Sequence, residues 1–267
     1  MTTPPDIRPD LPGLLALMAR LRAPEGGCPW DREQSFASVA PYTIEEAYEV
    51  ASAIEEEDWA HLKEELGDLL FQVVFHAQMA AERGLFDFHD VAAAIVEKMI
   101  ARHPHVFAGT ERPDNAEAQT AAWEDLKRRE RAKKHDSLLA DVPVALPALT
   151  RAEKLQKRAG SVGFDWDNAR KVVDKVAEEA GEIVEAAEHG ADQTHIEEEV
   201  GDLLFVMANL ARHLKVDPEA ALRKANLKFI RRFGFIETSL AKAGRTPAGA
   251  SLDEMEALWQ TAKNTIG

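Results

Sequence analysis

The sequence predicts an all-α protein made of two tandem copies of one helical-bundle domain. Two observations carry that expectation. Apolar residues recur at i, i+3, i+4 and i+7 in almost every hydrophobic stretch, which is the period of a helix face, and strand-like alternation is scarce. The heptapeptide ELGDLLF at 65–71 returns as EVGDLLF at 199–205, with only Leu66 changed, to Val200. Its surroundings return too: Glu64 and Glu198 precede the copies, and His61 and His195 stand four residues before Glu65 and Glu199.

Taken in order, the periodicity predicts helices over 12–22, 43–56, 59–83, 88–102 and 116–133 in the first half. In the second half it predicts 148–160, 168–189, 193–214, 217–243 and 252–264. Thr43 followed by Glu46 has the form of a capping box, and Asp58 and Asp192 stand where N-caps are needed. Gly84 and Gly190 are expected to stop their helices. In ARHPHVF (101–107), Pro104 forbids continuation, so its two histidines belong to a terminating turn.

Between the halves, LKRRERAKKHDSLLADVPVALPAL (126–149) opens with a basic cluster and passes through Pro143 and Pro147. It reads as the solvated end of a helix leading into a linker. A boundary near residue 135 gives domains 1–135 and 136–267, and with it the halves align in order. GGCPWDREQSF (26–36) corresponds to SVGFDWDNARK (161–171). Glu45-Glu46-x-x-Glu49 corresponds to Glu178-Glu179-x-x-Glu182, and Glu65-x-x-Asp68 to Glu199-x-x-Asp202. Lys98 and Arg102 are spaced like Lys228 and Arg232, and Trp123 and Lys127 like Trp259 and Lys263.

Composition narrows the partners. The formal net charge of -15 repels nucleic-acid phosphates, and it also disfavours a free triphosphate unless a divalent cation mediates. Cys28 is the sole cysteine, so no internal disulfide forms. No apolar run approaches the roughly 20 residues of a membrane helix, and MTTPPDIRPD lacks the pattern of a signal peptide. A cytoplasmic protein without nucleic-acid or membrane partners is expected.

The repeated carboxylates carry the chemistry. Residues three apart share a helix face, so Glu179 projects with Glu182, and Glu199 with Asp202. The stretch AAEHGADQTH between them suits a short turn, so two antiparallel helices should bring four carboxylates together. At about 100° per residue, the acidic pair on the second helix borders its apolar face and can line a cleft. Glu46, Glu49, Glu65 and Asp68 do the same in the first half. Four carboxylates beside a core repel one another and raise their pKa values unless a cation neutralises them. All-oxygen ligation favours Mg²⁺, with Mn²⁺ as a substitute, over Zn²⁺. Such an ion keeps positions open for substrate phosphates. Lys228 and Arg232, i and i+4 on one helix, are candidates to reach phosphate oxygens, as are Lys98 and Arg102 in the first half. Lys175, one turn before Glu179, is a further candidate, and Trp259 one for stacking on a base. Lys154, Lys157 and Arg158 have weaker claims.

CPWDREQSF, the paired EExxE and ExxD motifs, ARHPHVF and RAEKLQKRAGSVGFDW (151–166) resemble the MazG family of the all-α nucleoside triphosphate pyrophosphatase superfamily, in its tandem form and over essentially the whole chain. The resemblance implies Mg²⁺-dependent hydrolysis of NTPs and dNTPs between the α- and β-phosphates, giving a nucleoside monophosphate and pyrophosphate. It implies that Glu179, Glu182, Glu199 and Asp202 hold the metal, Lys228 and Arg232 grip the phosphates, and Trp259 contacts the nucleotide. A carboxylate such as Glu178 or Glu198 would deprotonate the attacking water. Homodimers are implied as well. The second half is expected to carry catalysis, the first to be a second site or a structural and regulatory copy.

Three other readings compete. A di-iron bundle wants Glu-x-x-His on two helices, whereas these motifs end in Asp. A non-enzymatic acidic helical dimer would bind a regulatory protein and turn over no nucleotide. A narrower enzyme of the same superfamily would act on dUTP or phosphoribosyl-ATP alone.

Overall fold

Capping side chains and helical periodicity decide where each element begins. The computed structural model describes residues 7–109, 114–132 and 137–266, and the regular elements among them are all helical. The boundary expected near residue 135 lies outside the described residues. The chain divides into two compact units, Met1–Leu126 and Lys127–Gly267.

In the first unit, α1 (Leu11–Leu21) starts at Asp10, whose carboxylate accepts from the Gly13 amide at 2.8 Å. A short α2 (Pro29–Glu33) precedes α3 (Phe36–Glu55). Here the expected start at Thr43 is corrected. Ser35 and Ser38 form the capping box, and Pro41 lies inside the helix. Its missing N–H removes one hydrogen bond near the helix start, which the rest of the helix tolerates. The Thr43 hydroxyl instead donates to the Val39 carbonyl at 3.4 Å and lies 3.0 Å from His76 Nε2. α4 (Trp59–Glu82) is capped by Asp58, which accepts from the Ala60 and His61 amides. α5 (Phe88–Arg102), α6 (Pro104–Phe107) and α7 (Ala116–Ala132) follow, the last running past the division between the units.

α3 and α4 form an antiparallel hairpin, with α1 and α5 packed on α4. Met18, Val39, Val74, Phe75 and Met79 make the core, ringed by Leu14, Leu15, Phe36, Phe71 and Phe88. Arg22 ties α2 to the end of α4: its guanidinium donates to Glu82 at 2.7 and 2.8 Å and to the Asp31 carbonyl.

The second unit repeats the plan. α8 (Ala148–Gly160) packs on α10 (Gln193–His213), which pairs with α9 (Ala169–Glu188). α11 (Pro218–Lys242) and α12 (Leu252–Ile266) pack together, with a 3₁₀ turn at Pro247–Gly249 between them. Asp192 caps α10 by accepting from the His195 amide at 2.9 Å. Buried Gln156 on α8 donates to the Phe205 carbonyl of α10 at 2.7 Å. Arg212 and His213, at the end of α10, hold Asp165 of the α8–α9 loop at 2.5 and 3.1 Å.

The turns use left-handed backbone differently in the two copies. Gly190 (φ 69°) closes the α9–α10 turn, whereas Glu57 (φ 56°) does so between α3 and α4. After α4 the left-handed residue is Gly84 (φ 65°), and after α10 it is Lys215 (φ 58°). Both hairpins leave an equivalent apolar strip in solvent. Leu66, Leu70 and Val73 on α4, and Val200, Leu204 and Met207 on α10, are each between 37% and 52% exposed. Among the described residues, no helix is long and apolar enough to cross a membrane.

Candidate active site

Each hairpin gathers carboxylates at the middle of its two helices. In the second unit α9 supplies Glu179, and α10 supplies Glu199 and Asp202. One oxygen from each lies within 4.8 Å of the others. Glu179 is the buried member, at 5% exposure. Glu182 is exposed and stands outside this triad, yet Glu179 and Glu199 are near enough to act on it. Partial desolvation beside the cluster raises its carboxyl above the ordinary range; Lys175 opposes this, and Glu179, Glu199 and Glu178 add to it.

In the first unit the triad is Glu46, Glu49 and Glu65, again within 4.8 Å, and Asp68 is the member left out. Asp68 still bears on the site: the Glu46 carboxyl is raised by burial, then by Asp68, Glu49 and Glu65. Glu65 is raised by burial and then by Glu49. Each unit therefore omits a different one of the four expected positions, while the omitted carboxylate remains an electrostatic neighbour.

The counter-groups differ. In the second unit the Lys175 ammonium lies 2.8 Å from an oxygen of Glu178 and 2.8 Å from one of Glu179. Its pKa is raised well above the usual lysine range by the hydrogen bonds to Glu178 and Glu179. His195 is looser, 3.9 Å from Glu198 and 3.7 Å from Glu199. In the first unit His61 Nε2 approaches Glu65 to 2.6 Å, and the place of Lys175 is taken by Tyr42. Reading the sequence missed His61 as a partner of the carboxylates, although its i,i+4 spacing from Glu65 carried that signal.

The other expected residues lie on α11, α12, α5 and α7. Arg232 stands over the Trp259 ring, 5.6 Å from its centroid, and Phe229 packs on the same ring at 5.4 Å. Lys228, one turn earlier, is exposed. The geometry thus joins Arg232 to Trp259 and Lys175 to the carboxylates. In the first unit Trp123 Nε1 donates to the Arg102 carbonyl at 2.9 Å and meets His103 edge-on at 5.1 Å, which makes it a packing residue. Lys98 is exposed.

Clustered carboxylate oxygens, with Glu46 and Glu65 raised first by burial and then by their acidic neighbours, form a donor set suited to a hard divalent cation. The residues present fit such an ion.

A model of the MazG nucleotide pyrophosphohydrolase domain matches residues 34–107 and 168–233, the segments that hold the two hairpins. The nucleoside triphosphate pyrophosphohydrolase of Escherichia coli K12 is 55% identical over 252 residues, covering 94% of this chain and 95% of that protein. A Thermotoga maritima protein described as nucleoside triphosphate pyrophosphohydrolase/pyrophosphatase MazG is 45% identical over 250 residues, 94% of either chain. The nucleoside triphosphate pyrophosphohydrolase of Mycobacterium tuberculosis is 33% identical over 263 residues, 94% of this chain and 68% of that one.

Proposed function

This chain belongs to the MazG family of nucleotide pyrophosphohydrolases, and from that premise we propose how its own residues serve a nucleoside triphosphate pyrophosphohydrolase. The reaction is hydrolysis between the α- and β-phosphates of NTPs and dNTPs, releasing the nucleoside monophosphate and pyrophosphate. The observation that supports a site for it is the Glu179–Glu199–Asp202 triad, repeated in the first unit as Glu46–Glu49–Glu65.

Glu179, Glu199 and Asp202 hold the cation, with Glu182 beside them. Mg²⁺, or Mn²⁺ in its place, would supply positive charge to the phosphate oxygens and acidify a water. Lys175, Lys228 and Arg232 bind phosphate oxygens, and Trp259 positions the nucleoside. Glu178 or Glu198 takes the proton as water attacks in line and pyrophosphate leaves. The second unit is assigned as catalytic because it offers lysine to the phosphates where the first has Tyr42. The first unit serves as a second site or a regulatory copy. The paired strips, Leu66–Leu70–Val73 and Val200–Leu204–Met207, are covered by a second copy of the chain in a homodimer; helix faces this apolar are ordinarily buried.

The test is release of pyrophosphate from a panel of NTPs and dNTPs, with Mg²⁺ and with EDTA. Mg²⁺-dependent release is expected, abolished by Glu182→Gln/Glu199→Gln and retained by Glu49→Gln/Glu65→Gln. Loss in the first-unit pair alone would move the active site to the other unit. Release undiminished by EDTA would exclude the metal centre.

A further inference from the structure

The two carboxylate sites have kept the same acids but not the same cation. In the second unit Lys175 lies on Glu179, the most buried member of its triad, with its Nζ 2.8 Å from the nearer Glu179 oxygen and equally near Glu178. The lysine side chain is only 30% exposed, so its charge is spent mainly on these two acids. One turn before Glu46 the first unit has Tyr42, which carries no charge and sets its ring edge-on against Trp30, with centroids 6.2 Å apart. Among the described residues the first triad meets one basic group, the His61 imidazole on Glu65.

We propose that Lys175 is the resident counter-cation of the second unit's site and competes with the metal for Glu179, so that this site takes its metal tightly only together with a triphosphate, while the first unit's site takes metal alone. The inference rests on the reading of both triads as cation sites. Its physical basis is competition for one acceptor. The Lys175 ammonium and a divalent cation both require the Glu179 carboxylate, and two cations crowded there repel each other. For metal to enter alone, Lys175 must give up two charge-assisted hydrogen bonds, with no anion to receive it. A triphosphate is that anion: it supplies negative oxygens to the displaced ammonium and to the metal together. Tyr42 imposes no such requirement in the first unit. Metal and nucleotide should therefore reinforce each other's binding in the second unit, each raising the other's affinity by the same factor.

Binding of Mn²⁺ to the EDTA-stripped full-length chain, measured as the metal retained with the protein on ultrafiltration while free and nucleotide-chelated ion pass through, tests this without turnover. The anion is a nucleoside triphosphate whose α–β bridging oxygen is replaced by methylene. Glu49→Gln/Glu65→Gln silences the first site and leaves the second to be read. In that background weak Mn²⁺ binding is expected, tightened by the analogue by a factor between about 5 and 150, the usual span of coupling between two ligands. Lys175→Met should tighten metal binding without the analogue and shrink the enhancement toward one. Lys175→Arg, which keeps the charge, should behave like the parent. Unchanged or weaker metal-only binding in a folded Lys175→Met protein would overturn the inference while leaving the metal site standing. If the parent and every variant bind no Mn²⁺, with or without the analogue, the cation-site reading fails and this inference falls with it.

Discussion

Gly67 and Gly201 sit in the interior of α4 and α10, between the Glu and Asp of each repeated motif, and a Cβ built on either meets no atom within 4 Å. Glycine inside a helix costs about 0.5–1 kcal/mol relative to alanine, because the unfolded chain gains backbone freedom. With no contact to offset that gain, Gly67→Ala and Gly201→Ala should each stabilise the chain by about 0.5–1 kcal/mol. For a cooperative unit of this size, that raises Tm by about 2–4 °C per substitution. The assay is thermal unfolding of the metal-free protein, followed by far-UV circular dichroism and repeated at two protein concentrations. A loss of stability at either position would refute the reasoning. It would show that the space beside that glycine is filled in solution, as it would be if a second copy of α4 or α10 approached there.

Backbone strain and carboxyl burial each lead to a further outcome. Glu57 and Lys215 hold a left-handed backbone that costs a residue with a Cβ about 1–2 kcal/mol. Glu57→Gly and Lys215→Gly should therefore raise the urea midpoint, whereas Gly190→Ala should lower it. The raised carboxyls of Glu46 and Glu65 also set a pH dependence. Between their ordinary and raised pKa values the folded chain binds more protons than the unfolded one. Their stabilisation is thus complete below the ordinary carboxylate range and is lost as pH rises through the raised values. In EDTA, wild type should lose melting temperature across that window relative to Glu46→Gln/Glu65→Gln, and Mg²⁺ should recover it above the window. Parallel profiles with and without the two glutamates would count against the raised carboxyls.

Much of the fold was legible because helices of 11 residues or more show their period. The ends set by Asp58, Asp192, Gly84 and Gly190 were legible from side-chain chemistry. The start of α3 was not, because Ser35 pairs with a second serine and Pro41 interrupts the usual helical signature. The short helices α2 and α6 span too few residues to show a period. At the site, spacing gave the four acidic positions of each unit but not which three converge, since that depends on rotamers and on how each hairpin twists. Lys175 ranked below Lys228 and Arg232 in the sequence, because an i,i+4 basic pair is easier to see than a single lysine reaching forward one turn along its helix to Glu179. The link between Arg232 and Trp259 runs from α11 to α12, and no local pattern announces it.

Each triad lies within a single hairpin, between residues 46 and 65 or between 179 and 202. The contacts that bring its acids together are therefore short-range in the chain, the kind that form early in folding. Like charges must then be gathered at an early step, before the flanking helices add their burial. The acids that define the site also oppose its formation, so a divalent cation present during refolding should speed the folding of the hairpins as well as stabilise the finished chain.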